Sequence, residues 1–371
     1  MKIIILYASC GAGHRRAAEA LYSYFKENYP GLDLNVIDAL QKTNLVFRIF
    51  YSRGYDFLVT HGLWLWHFFF RISSIKSLRI LTNTPFALIS RMNAGGLSGF
   101  LAREKPDFII STHFFPSDIA AYLKKKGRIN SKVVTVITDF GIHPLWISEG
   151  TGMYVVASNS SKEQLLIEGV RADIIKVLGI PIDMKFSREY ERENLCKAAG
   201  LDPDKFTVLI STGSFGMGQI EEIVELLHKE VQLLVVSARN KILYEKLKEK
   251  DYSNVRVYGF IENIQELMAI SDIIITKPGG STISESLAMG LVPVFIAAIP
   301  GQETENAKVL SEMSVGLSIA GPLLIKDAVL GFRDNPGKLK EMKTRINEMK
   351  RPFATKELCG VICQGSIRAG S

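Results

Sequence analysis

The clearest candidate for chemistry in this sequence is a glycine turn that leads into hydroxyl and carboxylate side chains. It follows the apolar run 273–275 and contains, in order, Gly279, Gly280, Ser281, Thr282 and Glu285. Glycines let a phosphate approach the backbone, and free N–H groups at a helix start attract it. The two hydroxyls can add donors, and the carboxylate can accept hydrogen bonds from a ribose. The same string also fits an ordinary turn whose serine caps a helix and whose glutamate completes a capping box.

Two further polar loops follow apolar strands in the same half of the chain. One is glycine-rich and contains Gly213, Ser214, Gly216 and Met217; the other contains Gln302, Glu303 and Asn306. The first would grip a diphosphate from a second side, although its spacing also suits a plain strand-to-helix turn. It lacks the Gly-Lys-Ser/Thr ending of an ATP-binding P-loop. The second carries the amide and carboxylate types that bind sugar hydroxyls, although polar loops after strands are common.

These loops must be positioned by two successive α/β alternations. Strand, glycine loop and helix open the chain at 2–28, and further strands are predicted at 35–38, 108–112, 133–137 and 154–157. After a candidate linker at 178–181, a polar helix at 189–199 precedes strands at 207–211, 232–237, 255–258, 272–276 and 293–296. The pattern predicts an α/β chain with two Rossmann-like domains, 1–181 and 182–335, that face each other across a cleft. Residues 336–371 form a C-terminal helix and tail, frayed from 364 onward.

Composition indicates a folded protein, with 47% hydrophobic and 22% charged residues among 371. Four scattered cysteines give no disulfide framework and favour a reducing, cytoplasmic compartment. The N-terminus does not read as a signal peptide, and no apolar stretch approaches the ~18 residues of a transmembrane helix.

The net charge of +7 is concentrated in one aromatic segment. Residues 41–105 hold nine basic and two acidic side chains. The segment includes the consecutive apolar run Trp64, Trp66, Phe68, Phe69 and Phe70. Basic groups with interfacial rings suit an anionic membrane surface, although the rings could instead belong to an ordinary core. No nucleic-acid-binding motif accompanies the charge.

Several motifs in one order resemble the monogalactosyldiacylglycerol synthase and processive diacylglycerol glucosyltransferase family, within the family 28 group that includes MurG. They are the segments at 9–15, 138–146, 213–218, 237–240, 259–260, 276–285 and 300–306. The resemblance covers roughly residues 3–320. This sequence differs from the family in the first glycine loop, which carries fewer glycines than that of many members. The basic insert between the second and third strands is the region to which the family's properties transfer least.

The resemblance implies a GT-B fold and an inverting transfer of a hexose from a UDP-sugar to diacylglycerol at the inner face of the cell membrane, with glucose favoured over galactose. It implies no metal and no cofactor beyond the UDP-sugar co-substrate. Phe260 with its neighbours Gly259 and Ile261 would meet uracil, and Glu285 the ribose. Ser281 and Thr282 would meet the phosphates, and Gln302 and Glu303 the hexose.

Inverting transfer needs a base for the acceptor hydroxyl, and His14 is the candidate because imidazole titrates near neutrality. Gly13 precedes it in a loop that would face the acceptor. Asp139 could orient a base or act as one, and His143 could bind acceptor or phosphate. Arg239, at a strand end, could neutralise donor charge, although a surface role is equally consistent. His113 is interpreted as a core or interfacial residue.

Three other functions fit the same scaffold. One is MurG-like transfer of N-acetylglucosamine to a polyprenyl-linked acceptor, and another is a UDP-sugar epimerase. A third is a UDP-sugar sensor without turnover. An epimerase would need no lipid-facing aromatic segment, so vesicle binding separates it from a lipid glycosyltransferase.

Overall fold

The structure is a computed structural model that describes residues 1–60, 62–75, 79–213, 219–296 and 298–367. Within these ranges it describes all side chains except those of residues 52, 55, 56, 58–60, 63, 66, 69, 79–83 and 365–367. The chain divides into two compact units. Unit 1 comprises residues 1–184, 299–305 and 353–371, and unit 2 comprises residues 185–298 and 306–352.

Unit 1 is built on a parallel sheet of six strands in the order β2-β1-β3-β4-β5-β6. The strands are β1 (Lys2–Tyr7), β2 (Asp33–Asp38), β3 (Phe108–Ser111), β4 (Lys132–Val136), β5 (Met153–Val156) and β6 (Ile175–Val177). The central strands are mostly apolar and buried, because both faces of such a sheet are covered. Strand β1 lies between β2 and β3, so the chain leaves it in one direction and later returns on the other side.

The described residues of unit 1 form eight helices. They are α1 (Ala12–Asn28), α2 (Leu45–Thr60), α3 (Leu63–Ser74), α4 (Arg79–Asn93), α5 (Gly95–Glu104), α6 (Phe114–Lys125), α7 (Asn159–Ile167) and, at the C-terminus, α16 (Ala354–Ile367). The aromatic segment identified in the sequence is therefore the helical run α2–α4. No described helix of the protein is long and apolar enough to cross a membrane.

The two faces of the unit 1 sheet have separate apolar cores. On one face Ile4 and Leu6 pack with α5 and α6, and Phe47 and Tyr51 of α2 join this cluster. On the other face Ile3 and Ile5 pack with α1 and with three residues of α16, namely Leu358, Cys359 and Ile362. The C-terminal helix therefore completes the core of the first unit.

Unit 2 repeats the architecture with six parallel strands in the order β12-β11-β10-β7-β8-β9. The strands are β7 (Thr207–Ser211), β8 (Gln232–Val236), β9 (Val255–Tyr258), β10 (Ile273–Thr276), β11 (Val292–Phe295) and β12 (Leu317–Ser318). Its helices are α8 (Arg192–Ala199), α9 (Ile220–Leu227), α10 (Lys241–Glu249), α11 (Ile264–Ala269), α12 (Gly280–Ala288), α14 (Pro322–Asp334) and α15 (Pro336–Met349). Helix α13 (Gln302–Glu312) begins in unit 1 and continues in unit 2.

The predicted α/β class with two Rossmann-like units is confirmed. The division falls after residue 184 rather than 181, and residues 336–371 are shared, with α15 in unit 2 and α16 in unit 1. The expected fraying from residue 364 is wrong up to residue 367, because α16 continues that far. Residues 368–371 lie outside the described part of the chain.

Candidate active site

The first candidate site lies where the chain leaves the carboxyl ends of β1, β3 and β4. These three strands are neighbours in the unit 1 sheet. Ligands of open α/β sheets bind at such ends, where successive connections run in opposite directions. The loop after β1 turns at Gly11, whose φ of 81° is left-handed and suits glycine. His14 follows in the first turn of α1.

His14 is held through one edge of its ring. Its Nδ1 lies 2.8 Å from the carbonyl oxygen of Thr112 and 2.8 Å from Oγ1 of Thr138. A carbonyl oxygen can only accept, so Nδ1 carries the proton and Nε2 keeps its lone pair. Thr112 also donates its hydroxyl to the backbone oxygen of His14 at 2.8 Å. The fold thus fixes both the position and the tautomer of this imidazole.

The surroundings keep the His14 ring uncharged. Burial lowers the pKa of His14 from its usual value near 6.5 to about 4, against a smaller raising effect of the Thr112 carbonyl. The ring is therefore neutral at pH 7 and able to accept a proton. A base of low pKa accepts the proton efficiently only when the donor hydroxyl has become acidic, as it does while attacking a carbon.

A second imidazole, His113, lies edge-on to the first. The two ring centres are 4.5 Å apart, and His113 is 2% exposed. Its Nδ1 accepts a hydrogen bond from the backbone N–H of Phe115 at 3.0 Å, which caps the start of α6. Burial, with a contribution from charge on His14, lowers the pKa of His113 well below its ordinary value. His113 was expected to be a core or interfacial residue; it is buried, and the structure adds its contact with His14.

Asp139 and His143 are both buried and both engaged with protein groups. Oδ2 of Asp139 accepts a hydrogen bond from Nε1 of Trp146 at 3.2 Å, and that indole lies 6.1 Å from His14 between ring centres. Nδ1 of His143 accepts from the N–H of residue 145 at 3.2 Å, and its Nε2 lies 3.1 Å from Oγ of Ser73. Asp139 can therefore influence His14 through Trp146. Catalysis by Asp139 and acceptor binding by His143 stay predictions.

The residues predicted to meet the acceptor or membrane occupy two environments. Trp64 and Phe68, one turn apart in α3, are 75% and 54% exposed. Phe70 is half-buried, with its ring centre 4.4 Å from that of His143. Gly13 is half-buried in the loop before His14. The side chains of Trp66 and Phe69 lie outside the described residues.

The second candidate site lies at the corresponding strand ends of unit 2. Strands β7 and β10 are neighbours, and Oγ1 of Thr276 donates to the carbonyl oxygen of Ser211 at 2.6 Å, which joins their two loops. Gly213 follows with a φ of 81°. Ser214, Gly216 and Met217 lie outside the described residues.

Helix α12 begins at a pair of glycines, Gly279 and Gly280. Its N-cap is Gly279, without a side-chain capping bond, so the alternative of a Ser281–Glu285 capping box is not what the structure adopts. Among the described residues, which do not include 214–218, no atom lies within 4 Å of a methyl group added at Gly279. Gly280, Ser281 and Glu285 are buried, and Thr282 is half-buried. The arrangement can bind a phosphate as predicted, and the individual roles stay predictions.

The remaining donor candidates lie in two loops and at the start of a helix. The loop expected to hold Gln302, Glu303 and Asn306 is wrong, because α13 begins at Gln302 and contains all three. Phe260 directly follows β9 with its ring 64% exposed, between the half-buried Gly259 and Ile261. Arg239 is exposed at the end of β8. Nδ2 of Asn306 donates to the carbonyl oxygen of Pro278 at 3.1 Å, Oε2 of Glu303 accepts from the N–H of Ile299 at 2.7 Å, and Gln302 is half-buried. Sugar binding by these residues stays a prediction.

No group of three His, Cys, Asp or Glu side chains in the described ranges is placed to hold a metal ion. Thr112 and Thr138 were missed by the sequence analysis. Each stands at or just beyond the end of an apolar strand, where polar side chains gather in parallel sheets, and that placement is the signal that could have found them.

Two family models match the chain, one in each half. The model of monogalactosyldiacylglycerol (MGDG) synthase matches residues 14–182, and that of the glycosyltransferase family 28 C-terminal domain matches residues 207–358. The first match begins at His14, and the second includes the whole turn at the start of α12.

Curated relatives match over nearly the full length. A processive diacylglycerol beta-glucosyltransferase of Staphylococcus saprophyticus is 30% identical over 365 residues, which cover 96% of this chain and 91% of the relative. A protein of the same name from Bacillus licheniformis is 30% identical over 354 residues, covering 94% and 90%.

Solved structures share the fold at low sequence identity. MurG of Acinetobacter baumannii has a TM-score of 0.64 at 15% identity, covering 98% of this chain and all of that one. A putative UDP-N-acetylglucosamine 2-epimerase from Listeria monocytogenes has a TM-score of 0.61 at 14% identity, covering 99% and 97%. These likenesses confirm the predicted GT-B fold.

Proposed function

This chain belongs to the monogalactosyldiacylglycerol synthase and processive diacylglycerol glucosyltransferase family, and we propose that it transfers glucose from UDP-glucose to diacylglycerol, making a glycolipid. The observation that carries the proposal is the match to diacylglycerol glucosyltransferases over more than nine-tenths of both chains. MurG and the epimerase share only the fold at about half that identity. The sequence relatives therefore favour a diacylglycerol acceptor and a glucose donor over the alternatives.

His14 is the proposed general base of an inverting transfer. As the acceptor hydroxyl oxygen attacks the anomeric carbon, its proton passes to the lone pair of Nε2, and the bond to the diphosphate breaks. The Thr112 carbonyl and the Thr138 hydroxyl hold Nδ1 throughout, so the ring does not need to turn to find its tautomer. A correctly positioned base contributes about 10²–10⁴ in rate.

Unit 2 is the proposed donor site. The helix start at Gly279 would receive the diphosphate, with Ser281 and Thr282 as hydroxyl donors. Glu285 would accept from the ribose, and the exposed ring of Phe260 would stack on uracil. Gln302, Glu303 and Asn306 would contact the hexose. Because helix N–H groups meet the phosphate charge, we propose that transfer needs neither metal nor a further cofactor.

The exposed apolar side chains of α2–α4 are the proposed contact with the membrane. They are Leu45, Val46, Ile49, Phe50, Phe57, Trp64, Phe68, Leu88, Ile89 and Met92. Phe50 and Trp64 are 80% and 75% exposed, an unusual state for rings of this size. The exposed Arg53 and Arg71 lie in the same helices and would attract anionic headgroups. We propose that the protein works at the cytoplasmic leaflet, whose surface potential is negative.

The test is turnover by the purified full chain with diacylglycerol in vesicles of anionic or neutral phospholipid. Radiolabelled UDP-glucose and UDP-galactose are supplied separately, with and without EDTA. We expect label in a glycolipid from UDP-glucose, faster on anionic vesicles and unchanged by EDTA. Label that stays in the nucleotide, or that reaches only a polyprenyl-linked acceptor, would overturn the proposal.

A further inference from the structure

Unit 1 contains a cavity that the proposed chemistry does not use. Its volume is about 250 Å³, and it lies between α4, α6 and the short turn Pro144–Trp146. Its apolar wall is formed by Phe86, Ala87, Phe114, Phe115, Leu145 and Ile147. Ser90, Asp118, Ser148 and the half-buried Glu168 stand on its polar side. The cavity is thus amphipathic, and its shape favours a ligand with an apolar body and one polar group.

Ser90 is the polar group that lacks a protein partner. It is 2% exposed, and its Oγ has no hydrogen-bond partner among the described residues. A buried hydroxyl left in this state is destabilising, since almost all such groups in folded proteins are paired. A hydroxyl that lines a cavity and is otherwise unpaired points to an acceptor atom on something that enters the cavity.

The carboxylate of Asp118, which also lines the cavity, already has hydrogen-bond partners. Asp118 accepts from Nε and Nη2 of Arg91 at 3.0 and 2.7 Å, and from Oγ of Ser148 at 3.3 Å. A paired carboxylate of this kind does not call for a cationic ligand. At Ser90 the cavity therefore needs one neutral hydrogen-bond acceptor, and along α4 and α6 it offers apolar contacts.

The cavity shares a wall with the catalytic imidazoles. The ring of Phe114 lies 4.2 Å from that of His113, and His113 lies 4.5 Å from His14, measured between ring centres. Trp146 meets the same Phe114 ring edge-on at 5.9 Å. A molecule in the cavity is therefore separated from the candidate base by the side chains of Phe114 and His113.

Helix α4 connects the cavity with the proposed membrane surface. Phe86, Ala87 and Ser90 line the cavity from one side of the helix. Between and after them, Leu88, Ile89 and Met92 are 58%, 54% and 75% exposed. The neighbouring positions of one helix thus face the cavity and the solvent-exposed apolar surface, so an apolar chain could pass from one to the other.

From these observations we propose that the cavity binds a segment of one acyl chain of the acceptor diacylglycerol, with the Ser90 hydroxyl donating to the carbonyl oxygen of its ester. The inference rests on the proposed function. A water-sized group occupies about 30 Å³, so the cavity has room for a segment of about eight such groups. Ligand pockets that enclose a whole small molecule run from about 300 Å³ upward.

The hydrogen bond at Ser90 is tested by Ser90→Ala with two acceptors, diacylglycerol and the ether-linked dialkylglycerol, which lacks the ester carbonyl. We expect the wild type to show a KM about fivefold lower for the diacyl form, the size of one neutral hydrogen bond. Ser90→Ala should bring the two values of KM together and leave the KM for UDP-glucose unchanged. A variant that keeps the wild-type preference, or a wild type without one, would overturn the proposal.

The chain-binding role is tested by Ala87→Phe, which places a ring in the cavity. The KM for long-chain diacylglycerol should rise about tenfold, a loss of roughly two buried methylene groups, with kcat and the KM for UDP-glucose unchanged. Ala102→Phe, at a half-buried alanine of α5, is the matched control and should behave as wild type. If the wild type makes glycolipid and Ala87→Phe keeps wild-type kinetics, the cavity proposal is wrong and the proposed function stands. Absence of glycolipid from the wild type defeats the proposed function instead.

Discussion

Units 1 and 2 use the same topological position in two chemically different ways. In each, the first strand (β1 or β7) lies between the second strand and a later one, and the functional loops leave the carboxyl ends at that point. In unit 1 side chains occupy this position. His14 is hydrogen-bonded to Thr112 and Thr138, and the three residues stand at the ends of three adjacent strands. In unit 2 backbone groups occupy this position, since α12 begins at Gly279 without a side-chain cap.

The difference follows from what each half is proposed to stabilise. A proton transfer needs one basic atom in one orientation, and only a side chain held by hydrogen bonds can provide it. A diphosphate carries charge over many oxygens, and several backbone N–H groups suit it without any particular side chain. We therefore expect changes in unit 1 to act on kcat and changes in unit 2 to act on donor affinity.

The largest effect is expected for His14→Ala, which removes the proposed base. The value of kcat should fall about 10³-fold, within the range for a general base, while the dissociation constant for UDP stays near the wild-type value. Because burial lowers the pKa of His14 to about 4, the wild-type rate should also be flat between pH 6 and 8. Steady-state kinetics with calorimetric UDP binding measures both. A fall in UDP affinity that accounts for the lost rate would erase the distinction between the units.

Glu285→Gln should have the next largest effect, and it should act on the affinity for UDP rather than on kcat. The change keeps the shape of a buried side chain but removes a charged acceptor for the ribose hydroxyls. The dissociation constant for UDP should rise about thirtyfold, the value of a hydrogen bond to a charged group, with kcat at saturating donor within a factor of about two. Ser284→Ala, a half-buried neighbour in α12, is the control. A lowered kcat with unchanged UDP binding would assign Glu285 to the chemical step.

Thr138→Val should produce a smaller loss confined to kcat. The variant lacks the hydroxyl 2.8 Å from Nδ1 of His14, so the ring keeps the Thr112 carbonyl but loses its second contact. We expect kcat to fall about tenfold, since 1.4 kcal/mol is one order of magnitude. Thr138→Ser restores the hydroxyl and should restore kcat. If Ser and Val behave alike, the methyl group and not the hydrogen bond matters.

The fold could be predicted from the sequence wherever strands were long and apolar. Strands β7 and β9 have the predicted bounds, because each is an apolar run closed by polar or glycine residues. Strands β6 and β12 were missed, since segments of three and two residues carry no periodicity. Helix α16 was read as a tail because its fit to α1 depends on a core formed some three hundred residues earlier.

The candidate site could be predicted only in part, for a related reason. His14 stood out because a glycine loop after a strand marks a ligand position in any α/β sheet. Its partners did not, because Thr112 and Thr138 lie 98 and 124 residues further along the chain. Asp139 was expected to orient a base or act as one, and that role stays a prediction. Its bond to Trp146 could not be predicted, because it depends on a turn whose course no local pattern specifies.

The smallest expected effect concerns stability at low pH, and it too tests the difference between the units. The folded chain holds the pKa of His14 near 4, below its ordinary value of 6.5, so between these values the unfolded chain binds more protons there. Stability from this position is present above pH 6.5 and is lost as the pH falls toward 4. His14→Asn removes the titration, while the pKa of His113, shifted in the same direction, still contributes. Between pH 7.5 and 5 the melting temperature of the variant should therefore fall about 2 °C less than that of the wild type. Equal falls in the two proteins would mean that the ring of His14 is not shielded in the folded state, and the neutral base of unit 1 would lose its physical basis.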